Sequence, residues 1–78
     1  MEKNRLKAQI IEAVENQIEM NDPKSTKDTF NKLKKAGYAE ITAKEMIASV
    51  LLEEMTYILK NKVPFDEKRY AEKLNDLN

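Results

Sequence analysis

Residues 41–61 read ITAKEMIASVLLEEMTYILKN, and this stretch decides the fold. Its apolar side chains recur every three or four positions, which is the spacing of a helix that faces a protein core. They are frequent enough to cover well over half of the helix circumference, as expected of a helix that packs against several neighbours. The stretch therefore predicts a long central helix.

The start of this central helix carries a capping signal. Thr42 and Glu45 have the spacing of a capping box, in which each side chain accepts a hydrogen bond from the other residue's free backbone N–H. Ile41 and Met46 occupy the flanking positions at which two hydrophobic side chains meet across the cap. These four residues predict that the helix begins at residue 43 and continues to about residue 61.

Two helices are predicted before it. The first has one apolar stripe, formed by Leu6, Ile10, Ala13, Val14 and Ile18. Asp22 is placed to cap the second helix, with Pro23 at its first position. Gly37 suits the left-handed residue that ends a helix, and Tyr38 follows where a Schellman motif folds a hydrophobic side chain back onto Leu33.

A short fourth helix follows the extended segment that contains Pro64. Asp66 is placed to cap this helix, and Phe65 and Tyr70 are placed to pack across the cap. The predicted fold is therefore all-α: a single domain over residues 1–78, with a four-helix bundle at about 3–19, 23–36, 43–61 and 67–77.

The composition argues against most kinds of chemistry. The chain has no histidine and no cysteine, so the commonest general base, zinc ligand and thiolate nucleophile are all missing. A single glycine cannot form a glycine-rich phosphate loop. We therefore expect no enzyme activity, no cofactor and no metal.

The charge balance bears on partners. Fourteen basic and fourteen acidic residues give a net charge of zero, whereas nucleic-acid and membrane-surface binders usually have a basic excess. Lysines do cluster in the second helix, which raises a helix-turn-helix alternative. The third helix would then read DNA, but its Glu45, Glu53 and Glu54 would repel phosphates. We expect neither a nucleic-acid nor a membrane partner.

The apolar segments bear on location. The longest apolar run, residues 47–52, is interrupted by Ser49 and is far shorter than the roughly 20 residues that span a bilayer. The N-terminal residues lack the apolar region of a secretory signal. These features and the absence of cysteine predict a cytoplasmic protein.

The first helix has an unusual order of charges, with basic residues first and acidic residues last. Lys3, Lys7, Ile11, Glu15 and Glu19 lie on one row of the helix. An antiparallel copy centred on Ile11 would set Lys7 against Glu15 twice, which predicts a homodimer through Lys7, Ile11 and Glu15. The alternative is a charge gradient on a solvated helix face.

Glu54 lies within the apolar arc of the third helix. At 100° per residue it falls between Val50 and Ile58, so its carboxylate should face the core. It would then bond a tyrosine hydroxyl, a backbone N–H, or a lysine or arginine of another helix. The alternative is a partner contact in a groove, for which Glu54, Tyr57 and Tyr38 are the candidates.

Two resemblances add to these predictions. Residues 33–47, LKKAGYAEITAKEMI, are similar to the first helix, the glycine–aromatic loop and the second helix of ubiquitin-associated domains, with Gly37 and Tyr38 in the loop. This resemblance implies ubiquitin or peptide binding around Gly37 and Tyr38. Residues 21–77 resemble small helical proteins of bacteria whose role is uncharacterised, which implies a bacterial cytoplasmic protein.

The sequence therefore favours a non-catalytic helical protein–protein interaction module that self-associates. The alternatives are a peptide or protein binder like the ubiquitin-associated domains, and an accessory subunit of an enzyme.

Overall fold

Four α-helices are present in residues 2–77, which the computed structural model describes, with side chains described for residues 5–77. They are α1 (Glu2–Met20), α2 (Lys24–Lys35), α3 (Glu40–Asn61) and α4 (Glu67–Asn75). Within the described range there is no strand. The predicted all-α fold with a long third helix is confirmed.

The helices surround one core, and α3 lies at its centre. α3 packs against α1, α2 and α4, while α2 also packs against α1 and α4. The radius of gyration of 12.1 Å is close to the roughly 11.5 Å expected of a compact chain of this length. The buried hydrophobic residues are Ile10, Val14, Phe30, Leu33, Ala43, Ile47, Ala48, Val50, Leu51, Tyr70 and Leu74.

The turn between α1 and α2 differs from the prediction. Asn21 is left-handed, with φ 55°, and the N–H of Asp22 donates to the Gln17 carbonyl at 3.0 Å. This is the hydrogen bond that closes a Schellman motif, so Asp22 belongs to the turn that follows α1. The N-cap of α2 is Pro23, with no capping side chain. The prediction that Asp22 caps α2 is wrong because α2 begins one residue later than predicted, so that Pro23, and not Asp22, occupies the N-cap position.

The end of α2 is as predicted. Gly37 has φ +103°, a conformation that costs glycine little because it has no Cβ. The N–H of Gly37 donates to the Lys34 carbonyl at 3.0 Å, and that of Tyr38 donates to the Leu33 carbonyl at 3.1 Å. These two bonds confirm the Schellman motif.

The start of α3 is a second correction. The helix begins at Glu40, with Ala39 as its N-cap and no capping side chain, so Thr42 and Glu45 do not form the predicted capping box. No glycine or proline separates residue 39 from residue 43, and the helix therefore extends back towards the turn at Gly37. Glu40 then lies in the first turn, where a carboxylate complements the positive end of the helix dipole.

The start of α4 confirms its predicted cap. The Asp66 carboxylate accepts from the backbone N–H groups of Lys68 at 3.0 Å and Arg69 at 3.2 Å. The rings of Phe65 and Tyr70 meet edge-on across this cap, with centroids 5.5 Å apart. α4 ends at Asn75 and gives way to a tight turn, rather than continuing to residue 77 as predicted.

Candidate protein-interaction surface

One side of α3 carries large apolar side chains that the other helices leave partly exposed. Leu52, Met55 and Leu59 are 41, 40 and 78% exposed. Together with Ala48 they follow the spacing of four, three and four residues that keeps side chains on one helix face. We call these four residues the α3 apolar face.

A shallow groove continues this face towards α1. It has a volume of about 280 Å³ and is lined by Lys7, Ile10, Glu45, Ala48, Ser49 and Leu52. Ile10 and Ala48 form its buried floor. The small side chain of Ala48 leaves space that a larger residue would fill. We call this depression the α1–α3 groove.

The polar residues beside the face direct their hydroxyl groups into their own helix. Ser49 Oγ donates to the Met46 carbonyl at 2.7 Å, and Thr56 Oγ1 donates to the Leu52 carbonyl at 3.0 Å. Hydroxyl groups bonded in this way need fewer water partners, so burying this side of α3 would cost little.

The charged residues predicted for self-association bind α3 of their own chain. Lys7 Nζ lies 2.9 Å from Glu45 Oε2, and Lys44 Nζ donates to Glu15 Oε2 at 2.9 Å. Ile11 is partly buried against the core. Both charges that were predicted to pair between copies thus have partners within the chain. The side chain of Lys3, on the same helix row, lies outside the described residues.

Glu54 lies inside the core, with an exposed side-chain fraction of 2%. Arg69 Nε donates to both of its carboxylate oxygens, at 2.9 and 3.3 Å. Lys73 Nζ approaches the second oxygen at 3.7 Å. The Arg69 guanidinium stacks over the Tyr57 ring, 3.7 Å from its centroid. Two of the candidate residues, Glu54 and Tyr57, therefore both contact Arg69.

This cluster lies beneath an open groove between α3 and α4. The groove has a volume of about 680 Å³, and its lining includes Phe65, Lys68 and Glu72. Because the Glu54 carboxylate is engaged by Arg69 and Lys73, it serves as the anchor of α4 on α3. It does not present a free acid or base to the groove.

A second buried polar cluster links α1, α2 and α4. Gln17 Oε1 accepts from Thr26 Oγ1 at 2.8 Å and from the Tyr70 hydroxyl at 3.0 Å. Thr26 and Tyr70 are both fully buried. Burial raises the pKa of the Tyr70 hydroxyl above its usual 10.0; the negative charge of Glu54 adds to this rise, and the Thr26 hydroxyl opposes it. The hydroxyl therefore stays neutral and donates.

The sequence did not identify Arg69, Gln17 or Thr26 as part of these clusters. Arg69 could have been suspected, because a buried Glu54 needs a cation from another helix. Gln17 and Thr26 gave no such signal, because polar residues at the edge of a helix stripe are usually solvated.

Tyr38 lies apart from the Glu54 cluster, in the turn between α2 and α3. Its side chain is 42% exposed, and Ile41 in the first turn of α3 is 56% exposed. Both residues lie within four positions of Gly37 along the chain. The α3 that follows is 22 residues long.

Neither a metal centre nor a membrane span is evident in the described part of the chain. Among the side chains of residues 5–77, no three from His, Cys, Asp or Glu come close enough to share an ion. The four helices described here each lack the length or the apolar character needed to cross a bilayer.

The chain was compared with protein-family models, with curated proteins and with solved structures. None of the three comparisons finds a match.

Proposed function

We propose that the chain is a non-catalytic protein–protein interaction module whose binding surface is the α3 apolar face together with the α1–α3 groove. The observation that carries this proposal is the row of Leu52, Met55 and Leu59, exposed on the helix that otherwise forms the centre of the core. A single exposed leucine is common, but a contiguous apolar row on a small protein is typical of a binding site.

The shape of this surface suits a helix from a partner protein. A row at spacings of three and four residues offers knobs to an opposing helix, and the adjacent groove offers a hole. The floor of the groove is apolar, and only its edge carries charge, at the ion pair of Lys7 and Glu45. A polar rim around an apolar centre is the usual anatomy of a protein interface.

Photo-crosslinking in cells tests this proposal. A benzoylphenylalanine placed at Met55 should give covalent adducts with protein, because position 55 lies at the centre of the face. The same residue placed at Lys27, on the exposed side of α2, is the control and should give none. The proposal is rejected if the two positions crosslink equally or if position 55 gives no adduct.

A second candidate function is supported by the exposure of Tyr38 and Ile41 beside Gly37. The resemblance to ubiquitin-associated domains covers these residues and suggests peptide or ubiquitin binding at this turn. Titration of ¹⁵N-labelled protein with ubiquitin tests it: binding would shift the amide resonances of Gly37 and Tyr38, and Tyr38→Ala should abolish the shift.

We also propose a cytoplasmic location for the module. The absence of cysteine is compatible with this location, and fractionation of cells with an antibody against the chain tests it.

A further inference from the structure

We propose that the occupant of the α3 apolar face is the same face of a second copy, so that two chains form a symmetric antiparallel dimer. This inference rests on the proposed interaction module and names its partner. In the dimer Leu59 of each chain enters the α1–α3 groove of the other.

The positions of the apolar residues along α3 fit a two-fold axis. A symmetric contact requires that each residue pair occur twice with the two copies exchanged. In this dimer Leu59 lies opposite the partner's Ala48, and Leu52 lies opposite the partner's Met55. Both pairs place the two-fold axis midway between residues 53 and 54. At 1.5 Å of rise per residue, Leu59 and the groove above Ala48 lie about 8 Å from this axis on opposite sides.

Large and small side chains alternate correctly in this register. Leu59 is the most exposed large hydrophobic residue described, at 78%. It meets the position at which Ala48 leaves a groove of about 280 Å³, larger than a leucine side chain. The small side chains of Ser49 and the partner's Thr56 flank the contact, which lets the two helices approach closely.

The charges agree with the same register. Glu45 at the mouth of the groove comes opposite the partner's Lys62, which follows the end of α3. Both residues are at least partly exposed, so the partner's Lys62 can join the ion pair that Glu45 forms with Lys7 of its own chain. Glu53, the exposed acid nearest to the axis, is directed away from the face by its contact with Lys73 at 3.2 Å. No like charges are therefore brought together at the centre.

Sedimentation equilibrium tests the dimer with a matched pair of variants. Leu59→Glu should weaken dimerisation at least about tenfold. Each copy loses a leucine that the dimer would bury, and gains a charge that faces the partner's apolar groove. Lys60→Glu adds the same acid to the same turn of α3 outside the apolar face, and it should leave the dimer intact. Circular dichroism should show equal helix content in both variants, because both residues are exposed.

The register is tested by cysteine pairs, since the natural chain has no cysteine. Ser49→Cys mixed with Thr56→Cys should give a linked dimer with a short bis-maleimide, whereas Ser49→Cys alone should give none, because its two copies lie about 13 Å apart along the antiparallel helices. Parallel helices would instead link each variant to itself.

Three results would overturn this inference. They are a wild-type chain that is monomeric at high micromolar concentration, a dimer unaffected by Leu59→Glu, and a dimer lost only with Ile11→Glu, which would place the contact on α1. A monomeric chain that still crosslinks to another protein from position 55 would contradict the dimer and leave the interaction module standing. Failure of both experiments would reject both.

Discussion

Glu54 depends on Arg69 because a carboxylate without a partner is very costly in a hydrophobic core. The ion pair does not have to stabilise the fold relative to two apolar residues of similar size. Its two bonds from one guanidinium nitrogen do, however, fix the position of α4 against α3. Removing one partner should therefore destabilise the fold by more than the intact pair stabilises it relative to apolar residues.

Glu54→Ala should lower the free energy of unfolding by about 1–3 kcal/mol, because the half-buried Arg69 loses its hydrogen-bond acceptor. Chemical denaturation measures this change. Glu53→Ala is the matched control: it removes the same charge from the neighbouring position, but the Glu53 side chain is 63% exposed. It should change stability by less than about 0.5 kcal/mol. Equal effects of the two substitutions would contradict the anchoring role of Glu54.

Tyr70 should make the protein less stable in alkali. Its pKa is raised in the folded chain, so above pH 10 the unfolded chain releases the proton first and stability falls as pH rises. Tyr70→Phe should remove this part of the alkaline decrease, and at neutral pH it should cost about 0.5–1.5 kcal/mol through the lost bond to Gln17. Denaturation at pH 7 to 11 measures both effects. Tyr38→Phe, at an exposed position, should keep the wild-type alkaline profile.

The two buried polar clusters show what could be predicted for single residues. The helical angle of Glu54 follows from the sequence alone, because it depends only on a regular helix. The identity of its partner does not, since Arg69, Lys73 and other cations were all available to α3. Choosing between them requires the angle at which α3 and α4 cross, which is a property of the packed molecule.

At the scale of elements, a capping signal competes with the tendency of a helix to continue. A capping side chain contributes only about 1 kcal/mol to stability. Where no glycine or proline intervenes, each residue added to an existing helix forms one more backbone hydrogen bond for little loss of conformational entropy. Thr42 does not cap α3, because Glu40 and Ile41 are compatible with a helix and α3 begins before Thr42. Asp66 kept its role because Pro64 precedes it closely and an extended segment leads into α4.

Two alanine substitutions distinguish these caps. Asp66→Ala should destabilise the protein by about 1 kcal/mol, because two backbone N–H groups of α4 lose their acceptor. Thr42→Ala should change stability by less than about 0.5 kcal/mol, because Thr42 lies inside α3 and caps nothing. Thermal denaturation of both variants measures the difference. A larger loss for Thr42→Ala would mean that α3 begins at residue 43 in solution.

The apolar face shows the limit of prediction for an element. The sequence predicts that α3 is apolar around most of its circumference, but every such residue appears equally suited to the core. Leu52, Met55 and Leu59 stay exposed. α1 forms its ion pairs in the N-terminal half of α3, and α4 forms its ion pairs with the acidic side chains at positions 53 and 54, which point away from this face. The sequence thus predicts the helix that carries the site, while helix packing determines which face remains open.

The whole molecule has a larger accessible surface area than a typical monomer of the same mass. Its accessible surface is 5662 Å², against roughly 4,900 Å² for a typical monomer of 9.1 kDa. Folding hides only about 57% of the surface of the unfolded chain on the same scaling. A domain this small gains little stability from its core alone, and covering an apolar face would add to it.

Dimerisation should therefore make thermal stability depend on protein concentration. If two folded chains are in equilibrium with two unfolded ones, each tenfold increase in concentration should raise Tm by about 4 °C for a chain of this length. Circular dichroism melts over a hundredfold range of concentration measure the shift. Lys60→Glu should reproduce it, whereas Leu59→Glu should melt at a lower Tm that depends less on concentration. A constant Tm for the wild-type chain would show that folding does not depend on a second copy and that the α3 apolar face stays open in the isolated protein.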